Sequence, residues 1–280
     1  MAPGGGEGPI TVRRYGSAGP VVALLHGGPG APGEMAPLAR DLAPDFTVLE
    51  PLQRRSGGAL LTVARHVADL AEVLPPGAAL VGWSWGAMLA LSFAAAHPGR
   101  ARSLALVGCG TCDEASRSAL AEALRARLGE AGWRRVAVLE GALEAASSEE
   151  EHDRALGELG QLAGAAGEFD PLPSGEGEAV RLDGRGHAET WADVLRLQAE
   201  GVEPQSFRAI TCPVLMLHGD DDPHPGPATF EVLRQHIPQL QYRGFPRCGH
   251  EPWAERHARE PFLEVLRAWL ADSPGSGPAG

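Results

Sequence analysis

The feature that most restricts this chain is a series of short, almost wholly apolar runs separated by longer stretches of helical spacing. The runs are residues 21–25, 46–49, 79–83, 103–107 and 214–218, with a weaker one at 240–245. An apolar run without polar alternation reads as a strand buried on both faces, as in a parallel sheet. Helical patterns lie between the runs: residues 61–74, the nearly all-apolar 87–96, and the amphipathic 255–271. This alternation predicts an α/β fold with a mostly parallel central sheet flanked by helices. The 280 residues suffice for one such domain, whose core needs no disulfide or metal staple.

The rhythm breaks between residues 112 and 205, where no strand is visible. Helical segments at 116–128, 133–146, 150–162 and 189–199 alternate with Gly/Pro-rich breaks such as 170–177. The reading is a helical cap at 112–205 inserted into a core made of 10–111 and 206–272. A flexible N-terminus (1–9) and a disordered tail (273–280) are expected outside them. The insertion holds 20 acids against 9 arginines, most of the chain's net charge of -12. Such helical faces are mostly solvated; the sharper reading is a mouth that attracts cationic groups. The acidic balance speaks against a nucleic-acid partner. No apolar run approaches the roughly 18 residues of a membrane span. Residues 1–10 lack a basic and then apolar leader pattern. A cytoplasmic protein acting on a small molecule is expected.

The chemistry concentrates at Gly82-Trp83-Ser84-Trp85-Gly86, between an apolar run and a helical one. That is the setting a G-x-S-x-G nucleophile elbow requires, with glycines where the turn leaves no room for side chains. Ser84 then lies at a helix N-terminus, where negative charge is favoured. A serine hydroxyl needs a base, and the base an acid, in the chain order Ser, Asp/Glu, His. His250 is the candidate base, in a Gly-His turn after the last apolar run; His218, His224, His236 and His257 compete less well. Asp222 is the candidate acid, fourth in Gly219-Asp220-Asp221-Asp222, with Asp220 and Asp221 as turn residues and Asp113 a distant alternative. The oxyanion needs two backbone N–H donors: Trp85, after the nucleophile, and Gly28 in His26-Gly27-Gly28-Pro29-Gly30. Gly28–Pro29 is a candidate cis bond. His26 reads as structural.

Other signals carry less. Cys109-x-x-Cys112 lacks both a thioredoxin-like setting and a second ligand pair, so buried thiols are expected. The glycines at 26–30 have neither dinucleotide nor P-loop spacing, and H-E-x-x-H is absent. No cofactor and no metal are expected. Trp83, Trp85 and Trp191 are candidates for lining a pocket, Trp85 foremost.

HGGPG at 26–30, GWSWG at 82–86, HGDDDP at 218–223 and CGHEPW at 248–253 together resemble the α/β-hydrolase superfamily. Within it the chain most resembles the proline iminopeptidase-like branch. That branch carries a DQRG-x-G-x-S segment, of which residues 52–58 keep only Gln53, Arg54 and a later glycine. The resemblance implies an α/β-hydrolase fold, a helical lid over the nucleophile, and hydrolysis of an ester or amide through an acyl-enzyme. In true iminopeptidases, lid carboxylates hold the substrate amine, and no acid here is matched to that role. The alternative is a ligand-binding or signalling protein on the same fold with slow turnover.

Overall fold

A computed structural model describes residues 8–173 and 181–272. The elements run β1 (Val12–Tyr15), β2 (Val21–Leu25), α1 (Ala36–Leu42), β3 (Thr47–Pro51), α2 (Val63–Val73), β4 (Ala78–Trp83), α3 (Trp85–Ala96) and β5 (Ala101–Val107). Then follow α4 (Glu114–Ala145), α5 (Glu149–Gly167), α6 (Gly184–Ala199), β6 (Val214–Gly219), α7 (Gly226–Arg234), β7 (Leu240–Phe245) and α8 (Arg259–Asp272). The strands form one sheet in the order β1-β3-β2-β4-β5-β6-β7. Only β1 is antiparallel, against β3; every other pairing is parallel.

The apolar runs have a simple origin. Side chains alternate across a strand, and both faces are covered. Ala23, Leu25, Leu80, Leu104, Leu106, Val214 and Met216 join one core with residues of α2, α3 and α7. Val22, Leu24, Ala79, Val81, Ala105, Val107, Leu215 and Leu217 join a second core with α1 and α8. All six expected strands are present, and α3 is the central buried helix that its composition demanded.

Three elements escaped the pattern. β1 is four residues long, half exposed and carries Arg13 and Arg14, so it has no apolar run. Helices α1 and α7 span 7 and 9 residues, with proline in the first turn, too short for their periodicity to stand out. The expected disorder at the termini falls almost wholly on residues 1–7 and 273–280, outside the described residues.

Between β5 and β6 the chain leaves the sheet for α4, α5 and α6. The segments expected at 116–128 and 133–146 are two helices that meet at a kink, Gly129, where φ is 66°. Helix α6 begins five residues earlier than expected, capped by Asp183, which accepts from Gly186 N. It docks on the start of α2 through carboxylates. Glu189 accepts from Leu61 N (2.9 Å) and Asp193 from Val63 N (2.8 Å), satisfying N–H groups with no partner inside α2. Among the described residues no helix is long and apolar enough to cross a membrane.

Asp193 is buried, so Asp193→Ala strips a charged acceptor from an enclosed N–H and costs about 1–3 kcal/mol of stability by urea denaturation. Glu200→Gln, at an exposed partner of the same Arg196, leaves the midpoint unchanged.

Candidate active site

Ser84 joins β4 to α3 with φ 54° and ψ −116°. Holding a non-glycine residue there stores about 1–3 kcal/mol of strain, sustained by the packing around it. The flanking glycines show why the chain turns so sharply. A Cβ on Gly82 would strike the Gly86 carbonyl, and one on Gly86 the carbonyls of Leu25 and His26. The first turn of α3 thus rests directly on the ends of β4 and β2. Ser84 N donates to Val107 O (2.9 Å), tying the elbow to the end of β5.

Parallel strands all have their carboxyl ends on one side of the sheet, and every candidate residue hangs from that edge. Gly28 follows β2, Ser84 and Trp85 follow β4, Asp222 follows β6 and His250 follows β7. A cavity of about 140 Å³ is walled by Gly28, Ser84, Trp85 and Met88 from the core and by Gly110 and Thr111 after β5. Leu120 of α4, His187 and Trp191 of α6, and His224 complete it. Trp191 and Trp85 therefore line the cavity as considered from sequence. Trp83 does not: it packs on His250 and Trp253, and its Nε1 donates to His250 O (3.1 Å).

Asp222 and His250 are joined, with His250 Nδ1 2.7 Å from Asp222 Oδ2. The ring lies over Gly108, where a Cβ would come within 2.8 Å of Nδ1. Ser84 Oγ holds no hydrogen bond to another described residue, a looseness common in sites without substrate. The other acids lie elsewhere. Asp113 caps α4, accepting from Ser116 N, and the Asp220 and Asp221 backbones bond Phe245 and Cys248.

One residue set aside on sequence grounds stands inside the site. His224 Nδ1 lies 2.9 Å from Asp222 Oδ1, and its ring stacks on His250 with centroids 4.2 Å apart. The available signal was its position two residues after Asp222, which lets the carboxylate also accept from His224 N (2.8 Å). His218 lies beneath, with Nε2 3.4 Å from Asp222 Oδ2. His257 pairs with Asp170.

The electrostatics separate the two stacked rings. Burial would raise the Asp222 pKa, but His250 and His224 hold it well below the usual carboxylate range. Burial works against the His250 imidazolium, yet Asp222, then Glu251 and Glu34, outweigh it and raise its pKa. His224 goes the other way, lowered by burial and by the charge of His250. Asp222, His224 and His250 bring donor atoms within 4.8 Å of one another, the spacing of a metal site. Their two rings, however, are 11° from parallel and stacked, so one ion cannot lie in both ring planes.

A second network sets the loop after β2. His26 is buried, donates from Nδ1 to Gly27 O (2.8 Å), and accepts at Nε2 from Gln53 N (3.2 Å). Burial lowers its pKa to about 4, so it is a neutral structural tie. Gln53 Nε2 donates to His26 O (3.2 Å) and Gln53 Oε1 accepts from Trp85 Nε1 (2.8 Å). Gln53 thereby joins the two segments that carry Gly28 and Trp85. The Gly28–Pro29 bond is cis. Glu255, also buried, accepts from Gly249 N, Phe169 N and Asp170 N, pinning the His250 loop to the chain after α5. Cys109 and Cys112 are buried free thiols, as expected.

Residues 20–256 match the alpha/beta hydrolase fold family, and the chain belongs to that family. It is 30% identical over 260 residues to the pimeloyl-[acyl-carrier protein] methyl ester esterase of Chromobacterium violaceum, covering 90% of this chain and 94% of that one. Two solved structures share the fold. A thermophilic esterase from Thermogutta terrifontis matches with TM-score 0.60 and 21% identity, over 93% of this chain and 92% of that one. The enol-lactonase from Burkholderia xenovorans LB400 matches with TM-score 0.59 and 19% identity, over 94% and 96%.

In a proton NMR titration, His250 titrates above its ordinary 6.5 and His224 below it, while His26 stays neutral down to about pH 4. A His224 resonance titrating above that of His250 would reverse the assignment of the base.

Proposed function

We propose that the protein is a serine esterase working through an acyl-enzyme, with Ser84 as nucleophile, His250 as base and Asp222 as its orienting acid. The observation that carries this is a strained serine at a helix N-terminus, open to a cavity, beside a hydrogen-bonded Asp222–His250 pair on the same sheet edge. An ionised carboxylate only accepts, so His250 Nδ1 keeps the proton and Nε2 keeps a lone pair. Ser84 Oγ attacks the acyl carbon as its proton passes to His250 Nε2. The carbonyl oxygen takes the charge, facing the N–H groups of Trp85 and Gly28. Trp85 is the first residue of α3, and neither N–H has a backbone acceptor among the described residues. The C–O bond breaks and His250 protonates the departing alcohol. Water then repeats the sequence and frees Ser84 with the acid product.

The cavity favours an ester with a short acyl group. An apolar cavity of about 150 Å³ holds a benzene ring, close to the 140 Å³ found here. Among the described residues no carboxylate lines it, so they offer an iminopeptidase substrate's ammonium no counter-charge. The curated relative at 30% identity is named a methyl ester esterase, an enzyme that opens an ester bond. Helices α4 and α6 supply Leu120, His187 and Trp191 to the wall, which supports residues 112–205 as the lid that selects substrate. Four free cysteines fit a reducing cytoplasm.

A fluorophosphonate probe is expected to label wild type but not Ser84→Ala, and aryl ester hydrolysis to fall at least about 10⁴-fold in that variant. A folded wild type that binds ligands yet takes no label and turns over no ester would favour the binding-protein alternative. With His250 raised by Asp222 despite its burial, kcat/KM should climb with pH through an apparent pKa above 6.5 and then level. An acid limb centred well below 6 would remove His250 as base. Gln53→Leu unties both oxyanion segments, and the expected loss in kcat is about 10²-fold, with KM little changed.

A further inference from the structure

The wall of the cavity is apolar at Met88, Leu120 and Trp191, and among the described residues it carries no arginine, aspartate or glutamate. Beside Ser84, the Thr111 hydroxyl and two imidazoles interrupt it, His187 from α6 and His224 from the loop after β6. Both are tied down by one nitrogen only. His187 Nδ1 lies 2.8 Å from Pro29 O, which as a carbonyl can only accept, so Nδ1 carries the proton. Burial lowers the pKa of this ring and keeps it neutral. Its remaining nitrogen, Nε2, is then a bare acceptor. No described residue donates to it, and it is not sealed within the protein as a buried orphan. His224 repeats the arrangement, with Nδ1 donating to Asp222 and Nε2 left over.

We propose that this pocket selects acyl groups bearing an uncharged hydrogen-bond donor, a hydroxyl or an amide N–H, which the Nε2 atom of His187 accepts. His224 offers a second acceptor beside the base. The selection follows from an asymmetry. A purely aliphatic acyl group drives water from both nitrogens and leaves them unpaired, whereas a donor-bearing group replaces that water. A carboxylate or phosphate on the acyl group would instead face the lone pairs of both rings. This assignment rests on the serine-esterase reading above and names the substrate class of the same site.

The test compares kcat/KM for p-nitrophenyl esters of butanoate, 2-hydroxybutanoate, 3-hydroxybutanoate and N-acetylglycine. The readout is the ratio of each donor-bearing ester to butanoate, so any general loss of rate divides out. Wild type should favour at least one donor-bearing ester by about tenfold or more. His187→Phe keeps a flat ring without an acceptor and should collapse that ratio; His187→Leu serves the same end should the phenyl ring prevent folding. His187→Gln, whose Oε1 accepts, should restore part of it. A merely structural role for His187 would lower every rate and leave the ratio standing, which overturns the proposal. Fluorophosphonate labelling separates the two readings. A wild type that labels but shows no donor preference overturns this inference alone. A wild type that does not label overturns the esterase reading and this inference with it.

Discussion

Helix α3 can begin where it does only because residues 82 and 86 have no Cβ. The helix start is pressed onto the carbonyls at the end of β2, and the strand before it onto the helix's own first turn. That contact forces the residue between into a strained conformation and turns its side chain outward. The same contact leaves Trp85 N–H without a helical partner and points the helix N-terminus at the sheet edge. The packing on both faces holds this arrangement, since α3 is almost wholly buried among β2, β4 and β5.

Around that edge the polar groups are arranged by what each can accept. Asp222 takes two imidazole donors and a backbone N–H, and remains ionised in a buried setting because of them. Two rings on one carboxylate differ in role because their surroundings differ. His250 gains from Glu251 and Glu34 and rises; His224 lies against His250 and falls. One ring is thereby suited to take a proton, and its neighbour stays an acceptor.

The insertion is part of the site and not only a covering. It donates three cavity residues, and carboxylates on backbone N–H groups fasten it at several places. Asp193 and Glu189 hold α6 to α2, and Glu255 holds the chain after α5 to the loop bearing His250. Movement of the insertion would therefore displace both the wall of the cavity and His250.

Local pattern was enough for much of this. The sheet was legible because strands buried on both faces must be continuously apolar, and the elbow because three close-packed positions admit so few residue types. Gly28, Ser84, Trp85, Asp222 and His250 were all readable from their places at the ends of apolar runs, and they meet at one edge because parallel strands share one. What local pattern could not supply was contact between distant segments. β1 owes its place to pairing with β3 and not to any apolar run. His224 looked like one more turn histidine until the fold stacked it on His250. His187, just before the helical segment expected at 189–199, reaches the cavity only through the earlier start of α6 and its bond to Pro29, 158 residues away. Burial and spacing are properties of a segment, and the sequence by itself determined them. Which donor meets which acceptor is a property of pairs, and the tertiary structure alone decided it.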